Sequence, residues 1–250
     1  LDTGLTADDR VLFGSTGTDI VRFGGFYLES SDRVTLNSAI RATGAVVIEA
    51  GGVILGSDLT NIEGGMVQIR SKREAQGGLL ITDILANAEA RVVLTDSRIT
   101  GSSISIRAES SINIDSESID FFGSPVKIAA VQGESHANVE VLGTTVLNAT
   151  ADIELAAQST VTVRVVTAPD DTSKDKDRDA AVATAILGSM ANVIVFDSAA
   201  LTAQGNVNIL ASQKDSVLVS ADGTQGDKAQ GASGGTVAFT LLYGDTKATV

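Results

Sequence analysis

Apolar and polar residues alternate with period two through much of the chain, most regularly in residues 191–211, ANVIVFDSAALTAQGNVNILA. The apolar positions fall in pairs, and small or turn-forming residues separate the pairs. Each pair is too short for a helix, and this alternation is typical of strands. The stretch therefore predicts three short β-strands joined by tight corners. Residues 137–157, ANVEVLGTTVLNATADIELAA, place apolar side chains in the same slots, which makes a repeat the organising feature of the chain.

A shorter pattern, small-x-V-x-I-x-A, also recurs. Its copies begin their apolar positions at Val46, Val67, Ile104, Val126, Ile153 and Val207. The first spacing, 21 residues, fits a turn of three short strands of about five to six residues each. Wider spacings require extra strands or protruding loops. Gly44 and Gly205 occupy one bend of this pattern, where we expect a positive φ.

These patterns favour an all-β fold in which parallel strands are wound as a solenoid and stack their apolar side chains inward. The predicted inward side chains are those of Val139, Val141, Ile153, Leu155, Val193, Val195, Val207 and Ile209. Because a lone buried charge is costly, an aspartate in place of Val207 is expected to unfold the chain.

Two segments, 168–181 and 221–235, are polar or glycine-rich and are predicted to be protruding loops. Each follows an equivalent strand, 161–165 or 217–219, so we expect both loops at the same edge. Residues 72–78 predict a shorter excursion. The apolar runs 182–187 and 237–242 could be strands or a short helix, and the repeat favours strands. Residues 81–89 allow at most one marginal helical turn.

The composition narrows the function classes. Hydrophobic residues make up 43% of the chain but aromatic residues only 4%, which suits narrow stacks of aliphatic side chains. The formal net charge of −13 disfavours binding to nucleic acid or an anionic membrane. Cysteine is absent, which excludes disulfides and thiolate metal sites. The sequence has no apolar run long enough to span a bilayer and no visible signal peptide.

Candidate catalytic residues are few. Glycoside hydrolysis requires two carboxylates facing each other across a sugar, and the adjacent acidic pairs are Asp8-Asp9 and Asp170-Asp171. The single histidine, His136, stands at the entrance to a repeat and is interpreted as structural. An arginine-based lyase would have Arg107, Arg164 or Lys127 available. The aromatic clusters, Phe121-Phe122 and Phe23/Phe26/Tyr27, are interpreted as core plugs or caps. No catalytic residue is assigned.

Calcium is the best metal candidate. The oxygen-bearing residues of the charged loop alternate as in a calcium-binding loop: Asp171, Ser173, Asp175, Asp177 and Asp179. Lys176 and Val182 stand where such a loop needs Gly and Glu. Interleaved basic residues largely neutralise the acids, so a solvated loop without cofactor is the preferred interpretation.

The cycle in residues 182–211, VATAILxxxANVxVxxSAxLTAxGNVxIxA, resembles the repeats of giant bacterial filamentous surface proteins, the filamentous haemagglutinin-like and large repetitive adhesins. The resemblance implies a right-handed parallel β-helix and a non-enzymatic structural shaft or adhesive segment, located extracellularly or on the bacterial cell surface. It also implies contacts with a host or neighbouring-cell surface or a glycan. Fold alone does not determine function, so a β-helical polysaccharide lyase or depolymerase and a glycan- or ice-binding module remain alternatives.

Residues 1–250 are expected to form one β-helix segment of a longer repetitive protein, with residues 1–30 atypical. The chain begins without Met and inside a pattern, and its last four residues align with the opening of a repeat. A solenoid cut there has unpaired backbone groups at its edge. Further copies of the repeat, or self-stacking at the ends, are the expected partners.

Overall fold

The computed structural model describes residues 11–13, 20–56, 60–78, 84–117, 119–120, 126–167, 180–222 and 235–250. Within these ranges the chain is all-β and contains no helix. The strands are β1 Val11–Phe13, β2 Ile20–Phe23, β3 Phe26–Leu36, β4 Ala39–Ala42, β5 Val46–Gly56, β6 Asn61–Glu63, β7 Met66–Gly78, β8 Ile84–Thr95, β9 Arg98–Gly101, β10 Ser103–Glu117, β11 Ile119–Asp120, β12 Val126–Leu142, β13 Val146–Ala149, β14 Ile153–Thr167, β15 Ala180–Val195, β16 Ala200–Ala203, β17 Val207–Ala221 and β18 Gly235–Thr249.

The strands follow a recurring order that defines six units: β2–β3, β4–β5, β6–β8, β9–β12, β13–β15 and β16–β18. In the last four units a short strand leads to a long outgoing strand (β7, β10, β14 or β17) and a long returning strand (β8, β12, β15 or β18). The short strands form a six-stranded sheet, and the long strands belong to a twelve-stranded sheet. Neighbouring units pair in parallel, and the small β11 pairs antiparallel with β12.

The register confirms the repeat found in the sequence. Ala137 pairs with Ala191, Leu147 with Leu201 and Ile153 with Val207, an offset of 54 residues in each pair. Along the outgoing strands Val46, Val67, Ile104, Ile153 and Val207 lie side by side. The predicted copy at Val126 is wrong, because that residue lies on returning strand β12 and pairs with Ala180.

The extra residues of the longer units build an extension rather than loops. Strand β5 pairs through residues 46–50 with β7 and through residues 52–56 with β8. From that point β7 and β8 continue outward as two facing walls. The predicted excursion at 72–78 is therefore wrong, since these residues belong to β7. The predicted helical turn at 81–89 is also wrong from Ile84 onward, where β8 begins. Residues 182–187 and 237–242 are strands, as the repeat favoured.

Two apolar cores result. The first lies between the short strands and the inner parts of the walls and is rich in Val, Ile and Leu. The second fills the extension and is built largely from Ala and Val. Val139, Val141, Ile153, Leu155, Val193 and Val195 are buried as predicted. Val207 and Ile209 face the same core by register but lie in the last unit, where Val207 remains 44% exposed.

A row of buried serines separates the two cores: Ser71, Ser110, Ser135, Ser159 and Ser189. The Ser159 hydroxyl lies 2.8 Å from Ser135 Oγ and 2.9 Å from Ser189 Oγ. The Ser110 hydroxyl donates to the Ala88 carbonyl at 2.6 Å. These bonds cross from the outgoing to the returning wall. We call this row the neck, because small hydroxyl residues let the two walls approach there.

The corner after each of the returning strands β8, β12 and β15 uses left-handed backbone. Asp96, Gly143 and Asp197 have φ values of 50°, 65° and 64°, a region that Gly, Asp and Asn tolerate best. The Asp96 carboxylate accepts hydrogen bonds from the Thr144 backbone N–H and hydroxyl at 2.8 and 3.0 Å, which lowers the pKa of Asp96. The positive φ expected at Gly44 and Gly205 is wrong. Both glycines instead allow close approach, because a Cβ would meet the Gly24 or Ala151 carbonyl.

We expect Gly143→Ala to destabilise the protein by at least about 1–2 kcal/mol, the cost of a left-handed L-residue. The added Cβ would also meet the Asp96 carboxylate. Gly56→Ala is the matched control, because the Cβ there makes only an ordinary contact with Ile54 at 3.6 Å. Urea unfolding of the three proteins measures the difference. Equal midpoints for both variants would contradict the strained corner.

Candidate functional site

The acidic residues singled out in the sequence fall mostly outside the described part of the chain. This holds for the calcium candidates Asp171, Ser173, Asp175, Asp177 and Asp179, and for the pairs Asp8-Asp9 and Asp170-Asp171. Within the described ranges no group of three or more His, Asp or Glu side chains could hold a metal ion. The segments 168–179 and 223–234, which hold most of the two predicted loops, are likewise outside. The residues that flank the two segments lie side by side, because Thr167 pairs with Ala221 and Ala180 pairs with Gly235. Both segments therefore leave and re-enter the sheet at the same edge, as predicted.

His136 lies on the outer face of β12 beside Glu134. Its Nε2 is 3.8 Å from Glu134 Oε2, beyond the reach of about 2.6–3.2 Å that proton transfer requires. The Glu134 carboxylate instead accepts a 2.7 Å hydrogen bond from the Tyr243 hydroxyl, which raises the pKa of Tyr243. The Tyr243 ring lies over Gly188 of the intervening strand β15. These contacts connect three successive returning strands.

The candidate lyase arginines lie in ion pairs between neighbouring units. Arg107 donates to both oxygens of Glu154 at 2.9 and 2.7 Å. Arg164 donates to Asp115 at 2.8 Å, and this hydrogen bond raises the pKa of the Arg164 guanidinium. The Lys127 side chain lies outside the described part. Exposed pairs of this kind contribute only about 0–1 kcal/mol each, but they neutralise charge along the walls.

The aromatic clusters are only partly placed. Phe121 and Phe122 lie outside the described residues, as does the Phe23 side chain. Phe26 packs against the first core, as predicted for a plug. Tyr27 does not, because its ring is exposed and its hydroxyl donates to Glu29 at 3.0 Å. That hydrogen bond raises the pKa of Tyr27.

Among the residues that the structure describes, most of the exposed large apolar side chains lie in the last unit, β16–β18. The three strands are terminal in their sheets, so each has a free backbone edge. Val207 and Leu242 are both 44% exposed, although their neighbours in the preceding unit, Ile153 and Leu187, are buried. We call this surface, formed by the free edges and inward side chains of β16, β17 and β18, the end face.

Apolar side chains also lie on the outer sides of this unit. Leu218 of β17 is 54% exposed, and Val237 and Phe239 of β18 are 55% and 50% exposed. Leu218 pairs with Arg164, and Phe239 pairs with Thr184. At these two positions an apolar residue replaces a polar residue of the preceding unit, whereas Val237 pairs with the apolar Val182. This concentration marks the last unit as the candidate interaction site.

The sequence analysis expects self-stacking at the ends of the chain, but it does not single out the side chains of the end face. Its alternation predicts that Val207 faces inward, and no local signal separates it from Ile153. A stronger sequence signal for an interaction surface than the alternation around Val207 is the apolar run 237–242, which puts apolar residues on both faces of β18. Such runs are typical of strands that are covered on both sides.

Among the described residues, no helix is both long and apolar enough to cross a membrane. No family model, curated protein or solved structure matches the chain.

Proposed function

We propose that the chain is a non-enzymatic structural or adhesive segment of an extracellular bacterial surface fibre, wound as a right-handed parallel β-helix. The observation that carries this proposal is the parallel, in-register stacking of successive units, with Ala137 beside Ala191 and Ile153 beside Val207. Stacked units bury a continuous core and are extended by adding further units. The repeat pattern's resemblance to filamentous adhesins supports the extracellular location.

The charged side chains on the outer walls pair with each other between units, which suits a structural role better than a catalytic one. Ion pairs such as Arg107 with Glu154 and Arg91 with Glu140 join strands of successive units. The hydrogen bond from Arg91 to Glu140 raises the pKa of the Arg91 guanidinium. Each pair fastens one unit to the next on a solvent-exposed wall. In a fibre, these contacts would add modestly to the register of the units and would keep charge balanced between neighbouring units.

Surface labelling tests the proposal. Antibodies raised against the purified chain are expected to label intact cells of the source organism along surface filaments. Protease added outside the cells should remove the label. Labelling that appears only after permeabilisation would contradict the extracellular assignment.

An activity assay tests the non-enzymatic part. The purified chain, incubated with a panel of polysaccharides with and without calcium, is expected to release neither unsaturated nor reducing ends. Release of either product would favour the lyase or depolymerase alternative. A double Asp170→Ala and Asp171→Ala variant would then show whether the charged loop takes part.

A further inference from the structure

The outer side of the returning wall is apolar over much of its length. Burial alternates along β15, and its even-numbered residues point outward. Strands β12 and β18 lie on either side of β15, and the register places their outward residues in the same columns. Ile128 of β12 and Ile186 of β15 are 36% and 38% exposed, although both strands are paired on both sides. We call the outward side chains of β12, β15 and β18 the wall face.

The wall face does not owe its exposure to the free edge of the last unit. Successive side chains of a strand point to opposite faces of the sheet. A further unit stacked on β18 would pair with its backbone edge and cover its inward side chains. Leu241 and Tyr243 pair with the outward positions Ile186 and Gly188, so they point away from the stack. The wall face therefore stays on the surface at any length of the stack.

The central strand of the wall face carries no charge. A formal net charge of −13 makes most surfaces of this chain repel a second copy. The outgoing strand of the same unit, β14, has Glu154 and Arg164 on its outer side. The outer side of β15 has only uncharged residues: Ala180, Val182, Thr184, Ile186, Gly188, Met190, Asn192 and Ile194. Two copies of this strand can therefore approach each other without electrostatic repulsion.

A two-fold axis along β15 makes the wall face complementary to itself. Each outward residue of β15 then faces the same residue of the second copy, and β12 faces β18. Ala130 lies in the column of Phe239, so a small side chain meets a large one. His136 lies in the column of Asp245, so an imidazole meets a carboxylate. No like charges face each other in this arrangement.

A two-fold axis along the stacking direction would fit less well. Centred on the same face, it would place each strand over itself in the reverse direction. Val237 would then lie opposite Lys247, and Phe239 opposite Asp245, because both pairs are equidistant from the centre of β18 columns that β15 marks at Leu187. Each pair sets a charge against an apolar side chain, which is unfavourable. The axis along β15 avoids these pairs.

The wall face is large enough for a specific interface. Strand β15 contains 16 residues and is about 50 Å long, and three adjacent strands span about 14 Å. The face therefore measures about 700 Å². Specific interfaces cover about 600–1,000 Å² on each partner. Facing sheets commonly pack with their strands aligned to within about 30°, as this arrangement requires.

We propose that the wall face binds the wall face of a second copy of this chain about a two-fold axis along β15. Two stacks then lie side by side and antiparallel, joined through their returning walls. The contact covers the apolar outer side chains of β12, β15 and β18 together. It needs only the wall face, so it is independent of the extracellular location in the proposed function.

Mixing oppositely charged variants tests the partner. In sedimentation analysis we expect a reversible monomer–dimer equilibrium for the 250-residue chain. Thr184→Glu alone and Thr184→Lys alone should each weaken the dimer about tenfold or more, because identical charges meet across the axis. An equimolar mixture should recover most of the affinity as heterodimers, since Glu then faces Lys. Thr162→Glu, on the outer side of β14 in the other wall, is the control and should change nothing.

Cysteine crosslinking tests the direction of the axis. The chain has no cysteine, so single cysteines report one position each. Thr184→Cys and Met190→Cys should both join two copies through a short thiol crosslinker, because each residue faces itself. These positions lie about 20 Å apart along β15, and an axis along the stacking direction would bring at most one of them to its counterpart. Thr162→Cys is the matched control on the other wall and should stay unlinked.

Three results would overturn the proposal. The first is a chain that is monomeric at all concentrations. The second is a dimer that keeps its affinity in Thr184→Glu, as association through the end face would give. The third is crosslinking at only one of the two β15 positions. None of these results bears on the extracellular location, which surface labelling of cells tests separately.

Discussion

Ile153→Asp is expected to abolish folding, whereas Val207→Asp, in the adjacent position of the same row, is expected to leave the protein folded. The two residues pair directly between β14 and β17. Ile153 is fully buried in the first core, but Val207 is 44% exposed at the end face. Removing a buried Ile side chain alone costs about 2–5 kcal/mol, and an unpaired buried carboxylate adds several more. The total approaches the whole stability of a typical domain, about 5–15 kcal/mol.

At position 207 the carboxylate can stay hydrated, so we expect a loss of only about 1 kcal/mol. Circular dichroism and urea unfolding measure both variants, at a concentration where the wild-type chain is monomeric. Equal destabilisation by the two substitutions would contradict an uncovered end face. A Val207→Asp variant that stays folded would instead revise the sequence-based prediction, which treats Val207 as an ordinary core position.

The sequence predicted the stacking register well because large β-branched and aliphatic residues repeat at a fixed offset. The sequence alone predicts the 54-residue step from Ile153 to Val207 and the pairing of Ala137 with Ala191. These residues line the first core, where Val, Ile and Leu alternate with polar residues. Alternation of this kind is the strongest strand signal that a single sequence offers.

The extension was not predicted, because its core uses small residues. Ala86, Ala129 and Ala183 face inward there, and alanine alternates only weakly against serine or threonine. The polar stretch 72–78 thus has the pattern of an excursion although it continues β7. The neck was missed for the same reason. Its serines look like ordinary polar positions until two walls are placed on either side of them.

The candidate site was harder still to predict. Val207 and Ile153 have the same pattern, and their burial differs only because another unit covers one of them. The outward direction of Val237 and Phe239 depends on their register with Val182 and Thr184. Alternation within β18 alone would place these apolar residues inward. Local sequence therefore could not distinguish the end face from any interior layer.

Ser159→Leu at the neck is expected to be the second most damaging substitution. Ser159 is fully buried, and its hydroxyl bonds with Ser135 and Ser189 on the opposite wall. A leucine would force the walls apart, at a cost of about 1–3 kcal/mol for overpacking. It would also leave the Ser189 hydroxyl without its partner, at about 1–3 kcal/mol, whereas the Ser135 hydroxyl keeps its hydrogen bond to Ser110. We expect a total loss of about 2–6 kcal/mol.

Two control variants separate the cost of the lost hydrogen bonds from the cost of overpacking by the larger side chain. Ser159→Ala removes the hydroxyl but keeps the walls close, so only the hydrogen-bond part of the loss, about 1–3 kcal/mol, is expected. Thr160→Leu places the same leucine one residue along β14, on its outer side, where the effect should stay within about 0.5 kcal/mol. Urea midpoints at an unchanged denaturant slope give all three values. If leucine were tolerated as well as alanine, the neck would not be closely packed, and the serines would serve only to pair polar groups. If leucine is far worse, the close approach of the walls is what keeps the two cores separate and holds the extension rigid.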